Sequence, residues 1–459
     1  MRLSPLLTPH AVVQRHQSIP VWGWTDRPHT RIKAGLGPNR AEGISGDDGR
    51  FLLRLPELPA GGPHLLTVES LDGGERIEVQ DILIGEVWLA SGQSNMEWSM
   101  ESSGYTAEIP NAKPDQIRMI KVANRADLAP QSTVKGEWQV ATPQTFNNFS
   151  AVANFFAQRL QNELGVPCGI INASWSGTFI EPWISRERLL QNQNQRVRDL
   201  VLGYEVEHNF GLIAMSDLMG HAHQQSPYIL FENMIKPLLP VGIAGAIWYQ
   251  GESNAGRPDE YRTLLRDLIA DWRQHFAVGD FPFGIVQLTS FMSPQSFQPN
   301  SEWARLRESQ QDALDVPGTG LAVILDAGDA IDIHPKDKKT VGHRLAQWAL
   351  ATVYGRALVP GGPLYRAHRI EGYRMRILFD QAGDGLALSE GDMVRTLVIA
   401  GPDGVFQPAK SAIEDGSLLV WHPDITAPKA VRYAWADNPE GANLINKDGF
   451  PAGPFRTDR

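Results

Sequence analysis

The sequence has little of what a disulfide-stabilised, membrane-spanning or polyanion-binding protein requires. Its 459 residues include one cysteine, Cys168, which excludes a disulfide framework within the chain. No stretch is long and apolar enough to span a bilayer. The balance of 52 acidic against 42 basic residues gives a net charge of -10, which disfavours nucleic acid and anionic membranes as partners.

The N-terminus also lacks the apolar core of a secretory signal peptide, since prolines and polar residues interrupt positions 1–10. We therefore predict a cytoplasmic protein, or a periplasmic one whose leader has been removed. The sequence makes no prediction of the oligomeric state.

Sequence signals for metals and cofactors are equally scarce. No Gly-x-Gly-x-x-Gly follows a predicted strand, and no segment has Walker spacing. His221 and His223 flank an alanine, but no nearby cysteine or paired carboxylate completes a ligand set. We interpret this segment as a loop and predict neither a metal nor a cofactor.

The length predicts two or three domains. Residues 1–80 contain short apolar runs separated by turn clusters, a pattern typical of a β-sandwich. Residues 359–459 return to short strands and turns and predict a second small β-domain. The predicted strands of these two regions are 19–24, 30–36, 51–55, 65–70, 375–379, 396–400, 418–421 and 430–435.

Residues 81–358 have a different pattern, in which nearly continuous apolar runs alternate with amphipathic helices. Such runs are expected of strands buried on both faces of a sheet. The alternation predicts a doubly wound, parallel α/β sheet, flanked by the two small β-domains. The predicted strands are 82–90, 168–173, 243–249, 283–288 and 320–325, and the predicted helices are 150–164, 260–275 and 340–352.

Ser94 lies in the segment Gly-Gln-Ser-Asn-Met, just after the first buried strand. Open α/β sheets bind ligands outside the carboxyl ends of their strands, so the position suits a catalytic serine close to the start of a helix. The alternative is that Ser94 only caps that helix.

His334 follows the fifth strand, in a segment that also contains Asp329 and Asp332. A histidine at a strand end can act as the base for a serine, and Asp332 is the nearest carboxylate to orient it. Pro335 suits the first position of the next helix. The alternative is a surface-loop histidine.

Two further polar segments follow strands of the predicted sheet. Gly177 could offer a backbone N–H to a developing oxyanion, and Gln250 could offer its side-chain amide. Glu252, two residues later, is interpreted as a structural carboxylate. Each segment could also simply form the turn that follows its strand. Four such segments at four strand ends, however, together favour one site.

Together these segments resemble the sialate O-acetylesterase-like family, within the SGNH (GDSL-like) hydrolase superfamily. The resemblance covers essentially the whole chain, and Gly-Gln-Ser-Asn-Met with Trp-Tyr-Gln-Gly-Glu-Ser is its most specific combination. The segments that carry it are 13–15, 21–24, 87–97, 149–153, 175–178, 181–183, 233–237, 248–254, 332–335, 430–435, 443–444 and 454–456.

The resemblance implies a serine acetylesterase that needs no cofactor, with Ser94 as nucleophile and His334 as base. It puts the oxyanion donors at Ser94, Gly177 and Gln250. The superfamily often spaces the acid three residues before the histidine, where this chain has Ile331, so Asp332 is the predicted acid and Asp329 the reserve.

The partner implied is an acetylated carbohydrate, either acetylated sialic acid or acetylated xylan and other hemicellulose. The alternative function is a catalytically silent carbohydrate-binding protein on the same fold.

Overall fold

The computed structural model describes residues 1–105, 116–209 and 224–459. The chain forms two compact units, the first made of Met1–Trp248 with Thr263–Phe283 and the second of Tyr249–Arg262 with Gly284–Arg459. Across the described ranges, every helix is too short or too polar to cross a bilayer.

The first unit begins with two small antiparallel sheets. One has the strand order β1-β3-β6, and in the other β4 pairs with both β5 and β7. A Cβ added at Gly43 of β5 would lie 2.6 Å from Leu53 Cδ2 of β6, so the two sheets pack closely there. The first eight strands are β1 Arg2–Leu3, β2 Val12–Gln14, β3 Ile19–Trp24, β4 Arg31–Leu36, β5 Asn39–Ile44, β6 Arg50–Leu55, β7 Gly61–Ser70 and β8 Arg76–Gly92.

Strand β8 links the sheet of β4, β5 and β7 to the larger sheet of the first unit. Its first half pairs antiparallel with β7, and its second half is buried and pairs parallel with β11, Cys168–Ser174. The strand runs unbroken through residue 80, where the sequence places a domain boundary. The three-domain division stays a prediction.

The larger sheet of the first unit has the strand order β10-β9-β11-β8-β12. Its remaining strands are β9 Ile117–Lys121, β10 Trp138–Val140 and β12 Gly245–Tyr249. Strand β11 is parallel to both β8 and β9, as predicted. The predicted parallel sheet is mixed at its edge, because β10 returns antiparallel to β9. An antiparallel neighbour needs no crossover helix, and residues 122–137 contain none.

The helices have local sequence signals at their ends. Ser150 caps α3 by accepting the Ala153 N–H, and Gly165 ends it in a left-handed conformation. The α-helices are α1 Ser94–Glu97, α2 Pro143–Phe146, α3 Ala151–Leu164, α4 Arg186–Leu190, α5 Gln195–Asn209, α6 Pro258–Phe276, α7 Glu302–Asp312 and α8 Lys338–Thr352. Phe231–Ile235 is a π-helical turn, and the 3₁₀-helical turns are Pro5–Leu7, Glu181–Trp183, Lys236–Leu238, Glu252–Asn254, Ala313–Asp315 and Leu325–Ala327.

The second unit pairs β13, Phe283–Val286, with β14, Thr319–Ala322. Its C-terminal part forms antiparallel sheets with the orders β15-β16-β21-β20, β19-β18-β22-β24 and β17-β23. These strands are β15 Leu364–Glu371, β16 Arg374–Asp380, β17 Leu386–Leu388, β18 Leu397–Ala400, β19 Phe406–Pro408, β20 Lys410–Glu414, β21 Ser417–Trp421, β22 Ala430–Tyr433, β23 Leu444–Asn446 and β24 Phe455–Arg456. The chain is thus mixed α/β with small β-sheets at its C-terminal end.

A buried arginine joins the C-terminal sheets to the rest of the second unit. The Arg307 guanidinium on α7 donates to the carbonyl oxygens of Leu288 and Thr289, at 2.7 and 2.6 Å. It also donates to those of Ala436 and Asp437, both at 2.7 Å. Burial lowers the pKa of Arg307 to about 9. Four backbone acceptors for one side chain fix the end of β13 against the segment that follows β22.

Candidate active site

Ser94 lies at the turn between the end of β8 and α1. The chain enters this turn through Gly92, whose φ of 137° is rarely adopted by residues with a side chain. Gln93 occupies the N-cap position, and its carbonyl accepts the N–H groups of Met96 and Glu97 at 2.9 and 3.0 Å. The capping residue is therefore Gln93, and Ser94 is the first residue of the helix.

The Gly177 segment lies beside this turn in the same unit. Ser174 is opposite Gly92 in the register of β11 with β8, so the two strands end together. Three residues from α1's start, Glu97 Oε2 accepts both the backbone N–H and the hydroxyl of Ser176, each at 2.7 Å. The structure thus brings together the segments that carry the predicted nucleophile and one predicted oxyanion donor.

Gly177 itself has a left-handed backbone, with a φ of 72°. Its carbonyl accepts a hydrogen bond from the Gln225 side chain, whose Oε1 in turn accepts the Phe179 N–H at 2.9 Å. One glutamine therefore holds the peptide groups on both sides of residue 178.

Gln250 lies in the second unit and is completely buried. Its Nε2 donates to Asn254 Oδ1 at 2.7 Å, which fixes the plane of the side-chain amide. Its backbone carbonyl accepts from Tyr261 Oη at 3.0 Å and from Gln310 Nε2 at 3.1 Å. The position and the orientation of the Gln250 amide are therefore both set by neighbours in its own unit.

The predicted base, His334, lies with both candidate acids in a loop of the second unit. Asp332 Oδ1 accepts the His334 backbone N–H at 2.8 Å and lies 3.6 Å from Nδ1 of the ring. Asp329 Oδ1 instead accepts the N–H groups of Ile331 and Asp332, at 2.9 and 3.2 Å. Of the two carboxylates, Asp332 is the one beside the imidazole.

The next helix starts between the two positions that the sequence indicates, Pro335 and Thr340. Pro335 was predicted at its first position, but α8 begins at Lys338. Asp337 is the N-cap, and its Oδ1 accepts the Thr340 N–H at 3.0 Å. A side-chain cap satisfies a backbone donor, whereas proline only tolerates the position, so the aspartate determines the start.

Electrostatics in this loop favour the neutral form of His334. Burial lowers the pKa of the imidazole, and the positive charge of Lys338 lowers it further, while Asp332 raises it. Neutral imidazole is the form that accepts a proton from a serine. Sequence reasoning missed Lys338, because a lysine in the first turn of a helix ordinarily reads as a solvent-exposed residue.

The predicted site residues are thus distributed between the two units. Ser94 and Gly177 are in the first, and Gln250, Asp332 and His334 are in the second. The pairing of Ser94 with His334 stays a prediction.

The two histidines considered as metal ligands, His221 and His223, lie outside the described residues. Among the residues that are described, no group of three or more His, Cys, Asp or Glu side chains could hold a metal ion.

The two aspartates of this loop are distinguished by mutation. We expect Asp332→Asn to lower kcat by about 10⁴-fold, the loss typical when the group that orients a catalytic histidine becomes an amide. Asp329→Asn is the matched control, and it should lower activity only by weakening the hydrogen bonds that Asp329 accepts within the loop. Comparable losses in the two variants, measured as acetate release at constant pH, would remove Asp332 from the role of orienting acid.

A family model described as carbohydrate esterase, sialic acid-specific acetylesterase, matches residues 84–351. Sialate O-acetylesterase from Mus musculus is 31% identical over 356 residues, which are 68% of this chain and 65% of that protein. The enzyme of the same name from Homo sapiens is 32% identical over 343 residues, which are 68% of this chain and 62% of that protein. The chain thus spans somewhat less than two thirds of these relatives.

A solved structure resembles the chain over its full length. It is that of a carbohydrate acetylesterase from Xanthomonas citri, with 38% sequence identity and a TM-score of 0.87. The match covers 100% of this chain and 99% of that one, so it includes the small β-sheets at both ends.

Proposed function

Since the chain belongs to the sialic acid-specific acetylesterase family of carbohydrate esterases, we propose that it is a serine esterase that removes O-acetyl groups from carbohydrate. The observation that carries the proposal is the position of Ser94. It lies in the turn that Gly92 begins, at the carboxyl end of the buried part of β8 and beside the Gly177 segment. Residues 84–351, which the family model matches, include every residue assigned a role below.

The proposed reaction has two steps, each with its own tetrahedral intermediate. His334 takes the proton of the Ser94 hydroxyl as Oγ attacks the acetyl carbonyl carbon. The oxyanion accepts hydrogen bonds from the Ser94 N–H, the Gly177 N–H and the Gln250 amide. The bond to the sugar oxygen then breaks, and that oxygen takes the proton from His334. Water activated by His334 next cleaves the acetyl-serine and releases acetate.

The surroundings of Gln250 support its role in this scheme. An oxyanion donor stabilises the transition state best when it needs no reorganisation as charge develops. The contact with Asn254 holds the Gln250 amide in one plane, and two donors hold its backbone carbonyl. The side-chain amide of Gln250 is therefore held in place as a hydrogen-bond donor for the oxyanion.

We also propose an SGNH-type, doubly wound catalytic domain over residues 81–358, with small β-domains over residues 1–80 and 359–459. The parallel pairing of β8, β9 and β11 supports the first part. The separate antiparallel sheets formed by the C-terminal strands support the last.

Two classes of acetylated carbohydrate are proposed as substrates. The curated relatives are sialate O-acetylesterases, and the solved relative is a carbohydrate acetylesterase. The deciding experiment measures acetate release from 9-O-acetylated sialic acid and from acetylated xylooligosaccharides side by side, with p-nitrophenyl acetate as a general ester. We expect release from at least one of the carbohydrates, and release from none of the three would contradict the proposal.

Labelling with a fluorophosphonate separates the esterase from a silent carbohydrate-binding protein. A catalytic serine reacts with this probe, whereas the serine of an inert binder does not. We expect one labelled residue, Ser94, identified by mass spectrometry of the digested protein.

A further inference from the structure

Lys338 is a buried cation at the start of α8, four residues after the predicted base. Its side chain is completely inaccessible to solvent. Its Nζ lies 5.8 Å from the centroid of the Tyr249 ring. The carboxylates whose charges act on it are those of Glu252, Asp332 and Asp337. A buried ammonium is costly unless opposite charges face it, so this arrangement calls for a reason beyond packing.

The surroundings of Lys338 come from both segments of the second unit that carry predicted catalytic residues. Tyr249 and Glu252 flank the predicted oxyanion donor Gln250 in the chain. Asp332 is the carboxylate beside His334, at 3.6 Å from its ring. One ammonium therefore acts on both segments.

We propose that Lys338 is a positioning residue for the esterase reaction. Its buried side chain holds the loop of Asp332 and His334 to the segment that carries Gln250, and its charged form disfavours a second positive charge on the imidazole of His334. The inference rests on the proposed function, because it assigns His334 the role of base.

The charges have a definite effect on the protonation of His334. Within the described residues, the charged groups that act on its pKa are Lys338 on α8 and Asp332 in its own loop. Burial lowers the pKa of Lys338 to about 7, so the ammonium acts on His334 chiefly below that pH. A positive charge disfavours imidazolium, so removing it raises the pKa of His334. Activity that needs neutral His334 is then lost at a higher pH as the solution is acidified.

The test compares variants of two lysines that lie two positions apart in the chain. Lys338→Met removes the buried charge at similar volume, and Lys336→Met removes an exposed one, two residues from His334. We expect Lys338→Met to lower kcat by about 10²-fold, as small displacements of catalytic groups do. We also expect the acidic limb of its pH profile to move to higher pH. Lys336→Met should keep both properties of the wild type.

The second measurement does not depend on activity. The titration of His334 is followed by NMR of the chain with ¹³C-labelled histidines, and the signal absent from His334→Gln assigns it. We expect Lys338→Met to titrate His334 at higher pH than the wild type. A wild-type chain that releases no acetate would refute the proposed function. The titration would still show whether Lys338 lowers the pKa of His334, because it does not require activity.

A normal acidic limb together with a normal His334 titration in Lys338→Met would overturn the proposal, even if kcat fell. Should that variant fail to fold because the Glu252 carboxylate has lost the charge of Lys338, the double variant Lys338→Met, Glu252→Gln removes both charges. The same two measurements then apply, with the same expected shifts, because Glu252 is not among the charges that act on His334.

Discussion

Ser94→Ala is expected to lower the rate of acetate release by about 10⁴- to 10⁶-fold, the range found when the nucleophile of a serine hydrolase is removed. Without the hydroxyl no acetyl-serine forms, and the oxyanion donors can assist only direct attack by water. The variant should also lose fluorophosphonate labelling. Both are measured on folded protein, with p-nitrophenyl acetate as substrate.

A second serine, near the end of β8, provides the matched control. Ser91 is three residues upstream, is buried, and donates its hydroxyl to the carbonyl of Ala173 on β11. We expect Ser91→Ala to lower the free energy of unfolding by about 1 kcal/mol, the usual value of such a hydrogen bond, and to leave kcat near that of the wild type. Near-wild-type turnover by Ser94→Ala would contradict the assignment of the nucleophile.

Local patterns predicted about half of the strands, and α3, α6 and α8 among the helices. Strand β3 has the predicted bounds, and α3 begins one residue after the predicted start because Ser150 serves as its cap. Buried strands such as β11 are recognisable because nearly all their residues, Asn172 excepted, are apolar or small and are buried on both faces of the sheet. The family expected from the sequence motifs is confirmed by the family model over residues 84–351.

Features that depend on partners distant in sequence were not predictable. The direction of β10 depends on how the chain returns after β9, and no residue in β10 encodes it. The start of α8 was missed for a local reason, since Asp337 sets it by accepting the Thr340 N–H, and a nearby proline is an equally good sequence signal for a helix start. The burial of Lys338 depends on Tyr249 and Glu252, which precede it by more than 80 residues.

The roles of the predicted site residues stay predictions. Strand-end positions indicated where polar side chains collect, and the structure adds the contacts that hold the Gly177 and Gln250 segments in place. It also supplies a geometric reason to prefer Asp332 over Asp329, which spacing alone could not give.

Removing the predicted base should have an effect as large as removing the nucleophile. We expect His334→Gln to lower kcat by about 10⁴- to 10⁶-fold, because glutamine keeps hydrogen-bonding capacity but cannot accept the serine proton. Burial and Lys338 lower the pKa of His334, so the wild-type enzyme should retain activity at pH values below the ordinary pKa of histidine. The acidic limb of the wild-type pH profile measures that pKa.

The control for this variant is another histidine beside an aspartate. His275 lies 3.2 Å from Asp271, and the hydrogen bond with that carboxylate raises the pKa of its imidazole. A raised pKa in the folded state stabilises the protein at low pH, and this stability is lost as the pH rises through that pKa. His275→Gln should therefore reduce stability below neutral pH and leave kcat unchanged. If His334→Gln instead kept the kcat of the wild type, as expected of His275→Gln, a group other than His334 would have to activate Ser94. The positioning role proposed for Lys338 would then be wrong, because it assigns His334 the role of base.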